Sequence, residues 1–104
     1  MIYVTTTTIS GKEIADSLGI VRGSTVRARN IGRDVFAGLK SLVGGEISEY
    51  TKLLAQAREQ AIQRMLDDAQ RVGADAVVNV RFNTSQVMQG AAEILVYGTA
   101  VKFK

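Results

Sequence analysis

The sequence predicts one α+β domain, spanning residues 1–104, in which an antiparallel sheet packs against helices in two layers. Three observations support this fold class. A length of 104 residues allows a single hydrophobic core. β-branched segments lie near both ends of the chain, and apolar residues recur at helical spacing through its middle. The resulting order is β-β-α-α-β-β, without the alternating strands and helices of a doubly wound parallel sheet.

The N-terminal part of the chain predicts two strands. The first runs from Tyr3 to Ile9 and is rich in β-branched residues. Residues 12–18 fit either a short helical turn or an extended approach to the second strand, which runs from Ile20 to Arg29. Gly19 and Gly23 are expected to mark bends or bulges in this region, because glycine inside a strand commonly does so.

The middle of the chain predicts two helices separated by a glycine pair. The first runs from Val35 to Val43, with Asn30 as a suitable N-cap before it and Gly44-Gly45 ending it. The second extends from about Glu46 to Val72, and Gly73 ends it. Its apolar stripe steps by three or four residues through Ile47, Tyr50, Leu54, Ala57, Ala61, Met65, Ala69 and Val72.

The C-terminal part predicts two strands, AVVNVRF at residues 76–82 and EILVYGTAVKF at residues 93–103, with a loop around Ser85 to Gly90. The last strand is apolar on both faces, whereas a strand with one solvated face alternates apolar and polar residues. One face carries Leu95, Tyr97, Val101 and Phe103, and the other carries Ile94, Val96 and Ala100.

These features predict self-association. One helical layer covers one face of the sheet, so the other face is expected to contact a second copy of the chain. The second helix would also be ~40 Å long, whereas a compact chain of this size has a radius of gyration of ~13 Å. The alternative is that the N-terminal segment covers the second face within the monomer.

Composition excludes several functions. The chain has neither histidine nor cysteine, which removes the usual zinc ligands, the Ser-His-Asp and Cys-His catalytic groups and disulfides. No apolar run approaches the ~20 residues of a membrane span, and the N-terminus does not resemble a secretory signal. We therefore expect a cytoplasmic protein that is not an enzyme and has no cofactor. The net charge of +3 is small for a nucleic-acid-binding domain, so nucleic acid is not the expected partner.

Basic and polar residues near the end of the second predicted strand form the candidate ligand site. Four arginines lie between Asp16 and Asp34 with no acid among them, which favours an anion-binding patch. Arg22 shares a face with the others only if Gly23 bulges. The junction before the first helix fits either a structural cap or a polar ligand at a helix N-terminus. The candidate ligand-binding residues are Asn30, Arg33, Asp34, Arg27 and Arg29.

The second helix and the last strand supply the candidate subunit interface. Tyr50 and Arg58 lie two helical turns apart and fit an interface or a ligand site, of which we favour the interface. Asp67 precedes Arg71 by four residues, the favourable spacing for a surface ion pair. The candidate interface residues are Tyr50, Arg58, Ile94, Val96 and Tyr97.

Four segments together resemble one known family: NIGRDVFAGLKSLVGGEISEY, AREQA, GADAVVNVRF and the closing YGTAV. This is the YbjQ-like family of small bacterial and archaeal proteins, which is often labelled heavy-metal-binding. The resemblance covers nearly the whole chain. It implies a dodecin-subunit-like two-layer fold and a ring-shaped pentamer built through strand pairing between subunits. It implies no activity, because none is established for the family as a whole.

The chain departs from the family in ways that bear on metal binding. Many relatives follow GADAVVG with an acidic strand, and the residues at those positions here are Asn79, Arg81, Asn83 and Ser85. Thr7 stands where relatives often have proline. Soft heavy metals need thiolate or imidazole ligands, and the only sulfur atoms belong to Met1, Met65 and Met88. Met65 lies on the apolar helix stripe, so we interpret it as a core residue and expect no metal site.

Together the residues and the resemblance predict a non-enzymatic, ring-forming scaffold or assembly module whose partner is a second copy of itself. The alternative is a protein that binds a small molecule, an anion or a metal ion at its subunit interfaces. The two hypotheses differ in one observable feature: a binding protein would have a pocket between chains that holds a ligand, whereas a scaffold would not.

Overall fold

A computed structural model describes residues 1–28 and 48–104. Within these ranges the chain forms four strands and one helix: β1 (Ile2–Tyr3), β2 (Ile14–Ala28), α1 (Ser48–Arg71), β3 (Ala76–Met88) and β4 (Ala91–Phe103). The predicted helix from Val35 to Val43, its cap Asn30 and the Gly44-Gly45 pair lie outside the described residues. The predicted α+β class is confirmed.

The four strands form one mixed sheet in the order β1-β3-β4-β2. β4 pairs antiparallel with both β2 and β3, as predicted, but β1 runs parallel to β3. The prediction of a wholly antiparallel sheet is therefore wrong at this edge. The Val4 N–H donates to the Val77 carbonyl (2.9 Å) beside the start of β3. β-branched composition favours a strand here but does not specify its direction.

Strand boundaries also differ from the predicted ones. β1 contains only Ile2–Tyr3, and the chain then turns locally, with the Thr6 hydroxyl donating to the Thr8 carbonyl (2.6 Å). Of the two alternatives for residues 12–18, the extended one is confirmed from Ile14 onwards. β3 continues to Met88 through the predicted loop, so β3 and β4 form one long hairpin.

The helix α1 confirms the predicted end of the second helix to within one residue. Gly73 has a φ of +78°, a left-handed conformation that favours glycine. Its N–H donates to the Gln70 carbonyl (3.0 Å), and the Ala74 N–H donates to the Ala69 carbonyl (3.0 Å). These two hydrogen bonds form a Schellman motif, which satisfies carbonyls that a helix end otherwise leaves unpaired.

The core lies between one face of the sheet and a stripe of small residues on α1. Four residues at intervals of four are fully buried and pack against valines of the sheet: Ala57, Ala61, Met65 and Ala69. Leu54, Ile62 and Leu66 are partly buried beside them, as the periodicity predicts. Val72 is an exception with 41% exposure, because α1 ends at Arg71 and the chain turns at Gly73.

The two glycines of β2 have different roles. The register shifts between Ser17 and Gly19, and Gly19 has a φ of +100°, which confirms the predicted bulge. Gly23 pairs in regular register with Val96, so the bulge predicted there is wrong. The helix passes directly over Gly23, where an added Cβ would lie 2.2 Å from the Ala61 carbonyl oxygen. Glycine is required at this position for close approach of helix and strand.

The face of the sheet away from α1 is covered over part of its length. At one end a second cluster of buried residues, Ala76, Val78 and Val101, packs under Val4, Ile9 and Ile14. The N-terminal segment thus covers this end within one chain, as the alternative to self-association predicts. At the other end Ile20 and Tyr97 remain exposed. Within residues 1–28 and 48–104, no helix combines the length and apolar character needed to cross a bilayer.

Candidate functional site

The uncovered end of the sheet forms a shallow concavity of about 430 Å³, which we call the open face. Ile20 is 76% exposed and Tyr97 is 38% exposed. The register places Arg22 opposite Tyr97 and Ser24 opposite Leu95, so these side chains share the face that lies away from α1. The open face is lined by Ile20, Arg22, Phe82, Asn83, Leu95 and Tyr97.

Polar contacts from β3 hold the N-terminal segment over the covered end. The Arg81 guanidinium donates to the Thr5 carbonyl (2.8 Å), and the Asn79 N–H donates to the Thr6 carbonyl (3.0 Å). Arg81 lies directly opposite Tyr97 in the register, so the cover ends where the open face begins. Asn79 and Arg81 occupy positions at which the family resemblance implies acidic residues, and here they fix the N-terminal segment.

A second concavity of about 760 Å³ lies between the outer edge of β2 and the last turns of α1, and we call it the edge groove. It is lined by Ile20, Arg22, Arg64, Asp67, Asp68 and Arg71. Ile20 and Arg22 line both concavities. The open face and the edge groove are therefore adjacent.

Side chains of α1 reach across the edge groove to the main chain of β2. The Arg22 N–H donates to Asp68 Oδ2 (3.1 Å), and Arg64 Nη1 donates to the Ser24 carbonyl (2.6 Å). Because β2 is an edge strand, these two main-chain groups would otherwise be open to another strand. Asp68 and Arg64 thus close this part of the β2 edge.

Asp68 is the charged centre of the groove. It forms an ion pair with Arg71, three residues further along α1. The hydrogen bond from Arg71 and the one from the Arg22 main chain hold the pKa of Asp68 below its ordinary value. The predicted pair of Asp67 with Arg71 is not formed, and Asp67 Oδ1 instead accepts a hydrogen bond from the Gln63 amide (2.9 Å). Asp68 lies nearer β2, where Arg71 and the strand converge on it.

The predicted arginine patch is divided by the sheet. The register from Gly19 to Ala28 is regular, so Arg22 and Arg27 lie on opposite faces. Arg27 donates hydrogen bonds to the Gln60 side chain of α1 and to the Val26 carbonyl. The other candidate ligand-binding residues lie outside the described residues: Arg29, Asn30, Arg33 and Asp34.

The candidate interface residues also separate. Ile94 and Val96 are buried beneath α1 within a single chain, so neither is available to a partner. The helix covers this face of β4, and the other face carries the exposed residues. Tyr97 is on the open face, and Arg58 is exposed on α1. Tyr50 belongs to α1, but its side chain lies outside the described part of the structure.

The sequence patterns did not identify Arg64 and Asp68 as site residues. They are spaced by four on α1 and belong to the polar side of an amphipathic helix, which usually indicates a solvated surface. The signal that could have found them is Gly23 opposite a stripe of small residues. Close approach of helix and strand brings the flanking polar residues of α1 to the edge of β2.

The fold is a two-layer α+β unit with a mixed four-stranded sheet. A crystal structure of a protein of unknown function from the DUF74 family of Pediococcus pentosaceus has the same fold, with a TM-score of 0.66, 18% sequence identity, and coverage of 100% of this chain and 98% of that one. The family described as "Putative heavy-metal-binding" matches residues 1–104. The chain belongs to this YbjQ-like family, which confirms the resemblance.

Relatives from archaea and bacteria match this chain along nearly their whole length. A UPF0145 protein of Methanosarcina acetivorans is 64% identical over 102 residues, covering 98% of this chain and 96% of the relative. A UPF0145 protein of Archaeoglobus fulgidus is 57% identical over 104 residues, covering 100% of this chain and 96% of the relative. One from Psychromonas ingrahamii is 58% identical over 104 residues, covering 100% and 99%. The names of these relatives state no enzymatic activity.

The donor atoms of this chain do not fit a heavy-metal centre. The sequence contains no thiolate or imidazole ligand. Within the described ranges, no cluster of three acidic side chains could hold an ion. Met65 is fully buried in the core, as predicted, while Met1 and Met88 are exposed. The family description therefore finds no chemical support in these residues.

Proposed function

We propose that this protein is a non-enzymatic, cytoplasmic assembly module that forms a closed ring of identical chains, with five copies as the family resemblance implies. The observation that carries the proposal is the open face. Ile20 is 76% exposed beside Tyr97 and Leu95, next to parts of the sheet that α1 and the N-terminal segment cover. Contiguous exposed apolar surface of this kind is typical of protein–protein contacts.

A ring also needs a second contact surface that differs from the first, and the free edge of β3 supplies it. The Val80 N–H points away from β4 and donates to the Val4 carbonyl (2.9 Å). Strand alternation then turns the main-chain groups of Phe82, Thr84 and Gln86 outward. Among the described residues, these groups have no main-chain partner. An edge of this length can accept a strand from another chain.

The two outer edges of the sheet differ in how well they accept a strand. On β2, Asp68 and Arg64 occupy the outward groups of Arg22 and Ser24. On β3, the N-terminal segment pairs only with the first half of the strand. This asymmetry favours one direction of addition, which is what head-to-tail closure of a ring needs. The radius of gyration of 17.3 Å, above the ~13 Å of a compact chain of this size, is also consistent with surfaces left for partners.

The test is the molar mass of wild-type and substituted protein by light scattering and native mass spectrometry. We expect a discrete wild-type species at five times the chain mass of 11.2 kDa. Ile20→Asp should lower the mass, because a carboxylate would be buried against a partner. Val72→Asp is the matched control, since Val72 is also exposed but does not line the open face.

The molar masses of the wild-type protein and the two variants decide whether the proposal holds. A wild-type monomer at micromolar concentration would contradict the proposal. So would an Ile20→Asp protein with unchanged mass, provided that circular dichroism shows it folded. Loss of assembly in Val72→Asp as well would indicate a general effect of added charge and remove the assignment of the open face.

A further inference from the structure

The edge groove has the features of a binding site within a single chain. Its side chains come from two elements that are far apart in sequence, β2 and α1, and its volume of about 760 Å³ falls in the range of small-molecule sites. Three of its six lining residues are arginines and two are aspartates. The distribution of hydrogen bonds among them decides what the groove can bind.

The two aspartates are engaged within the chain. Asp68 accepts hydrogen bonds from Arg71 and from the Arg22 main chain, and Asp67 accepts one from Gln63. The lowered pKa of Asp68 keeps it ionised at neutral pH, so that its charge offsets that of Arg71. The remaining charges are the guanidinium groups of Arg22 and Arg64 against the single carboxylate of Asp67, which leaves a positive excess.

The two remaining arginines have unused donors. A guanidinium carries five N–H donors and no acceptor. Arg64 directs one donor to the Ser24 carbonyl, which holds its side chain against the edge strand. Within the described part of the chain, the Arg22 guanidinium has no hydrogen-bond partner. Guanidinium donors that lack acceptors match a ligand that offers several acceptor oxygens.

From this geometry we propose that the edge groove binds a compact oxyanion, the phosphate or carboxylate group of a small molecule, between the guanidinium groups of Arg22 and Arg64. A planar guanidinium group can form two parallel hydrogen bonds with either a phosphate or a carboxylate group. A metal cation is excluded as the main ligand, because both carboxylates of the groove are engaged and the net charge there is positive.

The experiment titrates the assembled wild-type protein with inorganic phosphate and, separately, with acetate. Chloride keeps the ionic strength constant, since exposed charges are screened by salt. NMR of the arginine side-chain N–H signals and calorimetry report binding. We expect a saturable response of Arg22 and Arg64 signals. Phosphate alone, acetate alone, or both with a measured preference would each support the proposal and identify the oxyanion.

Matched substitutions locate the binding. Arg22→Gln is the most conservative variant, because the hydrogen bond from Arg22 to Asp68 is donated by the main chain and survives the change. We expect it to weaken binding about tenfold, the effect of removing hydrogen bonds to a charged group. Arg64→Gln should do at least as much. Lys52→Gln removes the same charge from an exposed position on α1 outside the groove and should leave affinity unchanged.

Two results would overturn the proposal. One is the absence of a saturable response to either anion. The other is an equal loss of affinity in Lys52→Gln and Arg22→Gln, which would indicate general attraction by a basic protein. The molar mass of each variant, measured in parallel, keeps this result separate from the proposed ring. A ring without anion binding, or anion binding without a ring, would reject one proposal and leave the other standing.

Discussion

The contact between Gly23 and α1 yields the sharpest stability prediction, for the substitution Gly23→Ala. An added Cβ would lie 2.2 Å from the Ala61 carbonyl oxygen, 2.4 Å from the Met65 nitrogen and 2.7 Å from Arg64 Cβ. Two of these atoms belong to the helix main chain, so no change of rotamer relieves the clash. Restoring ordinary contact requires α1 to move away from β2 by about 1.2 Å.

The expected magnitude follows from two opposing effects. Gly23 does not have a positive φ, so Ala without a clash would stabilise the fold by about 0.4–1 kcal/mol through the unfolded state. Overpacking of a close-packed core costs 1–3 kcal/mol or more. A rigid helix displaced along its small-residue stripe belongs at the upper end, about 3 kcal/mol, which leaves a net loss of about 2–2.6 kcal/mol. The midpoint of thermal unfolding should then fall by at least about 8 °C.

Thermal and urea unfolding at one fixed protein concentration measure the effect, since self-association would make the midpoint depend on concentration. Gly11→Ala is the control. Gly11 has a φ of +77° with no heavy atom within 4 Å of an added Cβ, so its cost of about 1 kcal/mol is conformational and not steric. If Gly23→Ala is as stable as Gly11→Ala, or more stable than wild type, the close approach of α1 to β2 is refuted.

Two further predictions concern contacts between α1 and β2. Asp68→Asn keeps an acceptor for the Arg22 N–H but removes the charge. Because the folded pKa of Asp68 is lowered from 3.8, its stabilisation is complete above that value and is lost as pH falls through the folded pKa. Wild type should exceed the variant by about 0.5–1 kcal/mol in free energy of unfolding at neutral pH, and a gap that persists in acid would contradict this. Thr25→Val removes the buried hydrogen bond to the Ala57 carbonyl (3.2 Å) and should cost about 1 kcal/mol. Thr25→Ser keeps the hydroxyl and should cost less; a larger loss in Thr25→Ser than in Thr25→Val would mean that packing of the methyl group outweighs the hydrogen bond.

The helix and the long C-terminal strand could be predicted because their signals are local. The spacing of Ala57, Ala61, Met65 and Ala69 specifies one buried face, and Gly73 specifies the end. The parallel pairing of β1 with β3 could not be predicted, since direction depends on residues distant in sequence. The sequence assigns Val96 to an apolar face of the last strand. Whether a helix or another chain covers that face depends on tertiary packing.

The candidate site was harder to predict than the fold. Arginines grouped in sequence, such as Arg22 and Arg27, separate onto opposite faces of a regular strand. The groove that does form combines Arg22 with Arg64 and Asp68 from a helix some forty residues later. Of these three residues, the sequence pattern included only Arg22, as a member of the arginine group and not as a candidate ligand-binding residue. The other two are positioned by the close approach at Gly23, which is a consequence of packing and not of any motif.

The division of β4 between its covers links the fold to the proposed ring. α1 buries Ile94, Val96 and Ala100, and the N-terminal segment buries Val101, so the chain supplies most of the cover that the strand needs. The cover ends at Arg81, which lies opposite Tyr97 in the sheet and donates a hydrogen bond to the Thr5 carbonyl. If the chain only had to fold alone, extending the N-terminal cover over Ile20 and Tyr97 would stabilise the fold by about 25 cal/mol for each Å² of apolar surface buried. Leaving that surface open beside an edge groove lined by arginines is consistent with contacts that form between chains, where apolar and charged surfaces meet at one boundary.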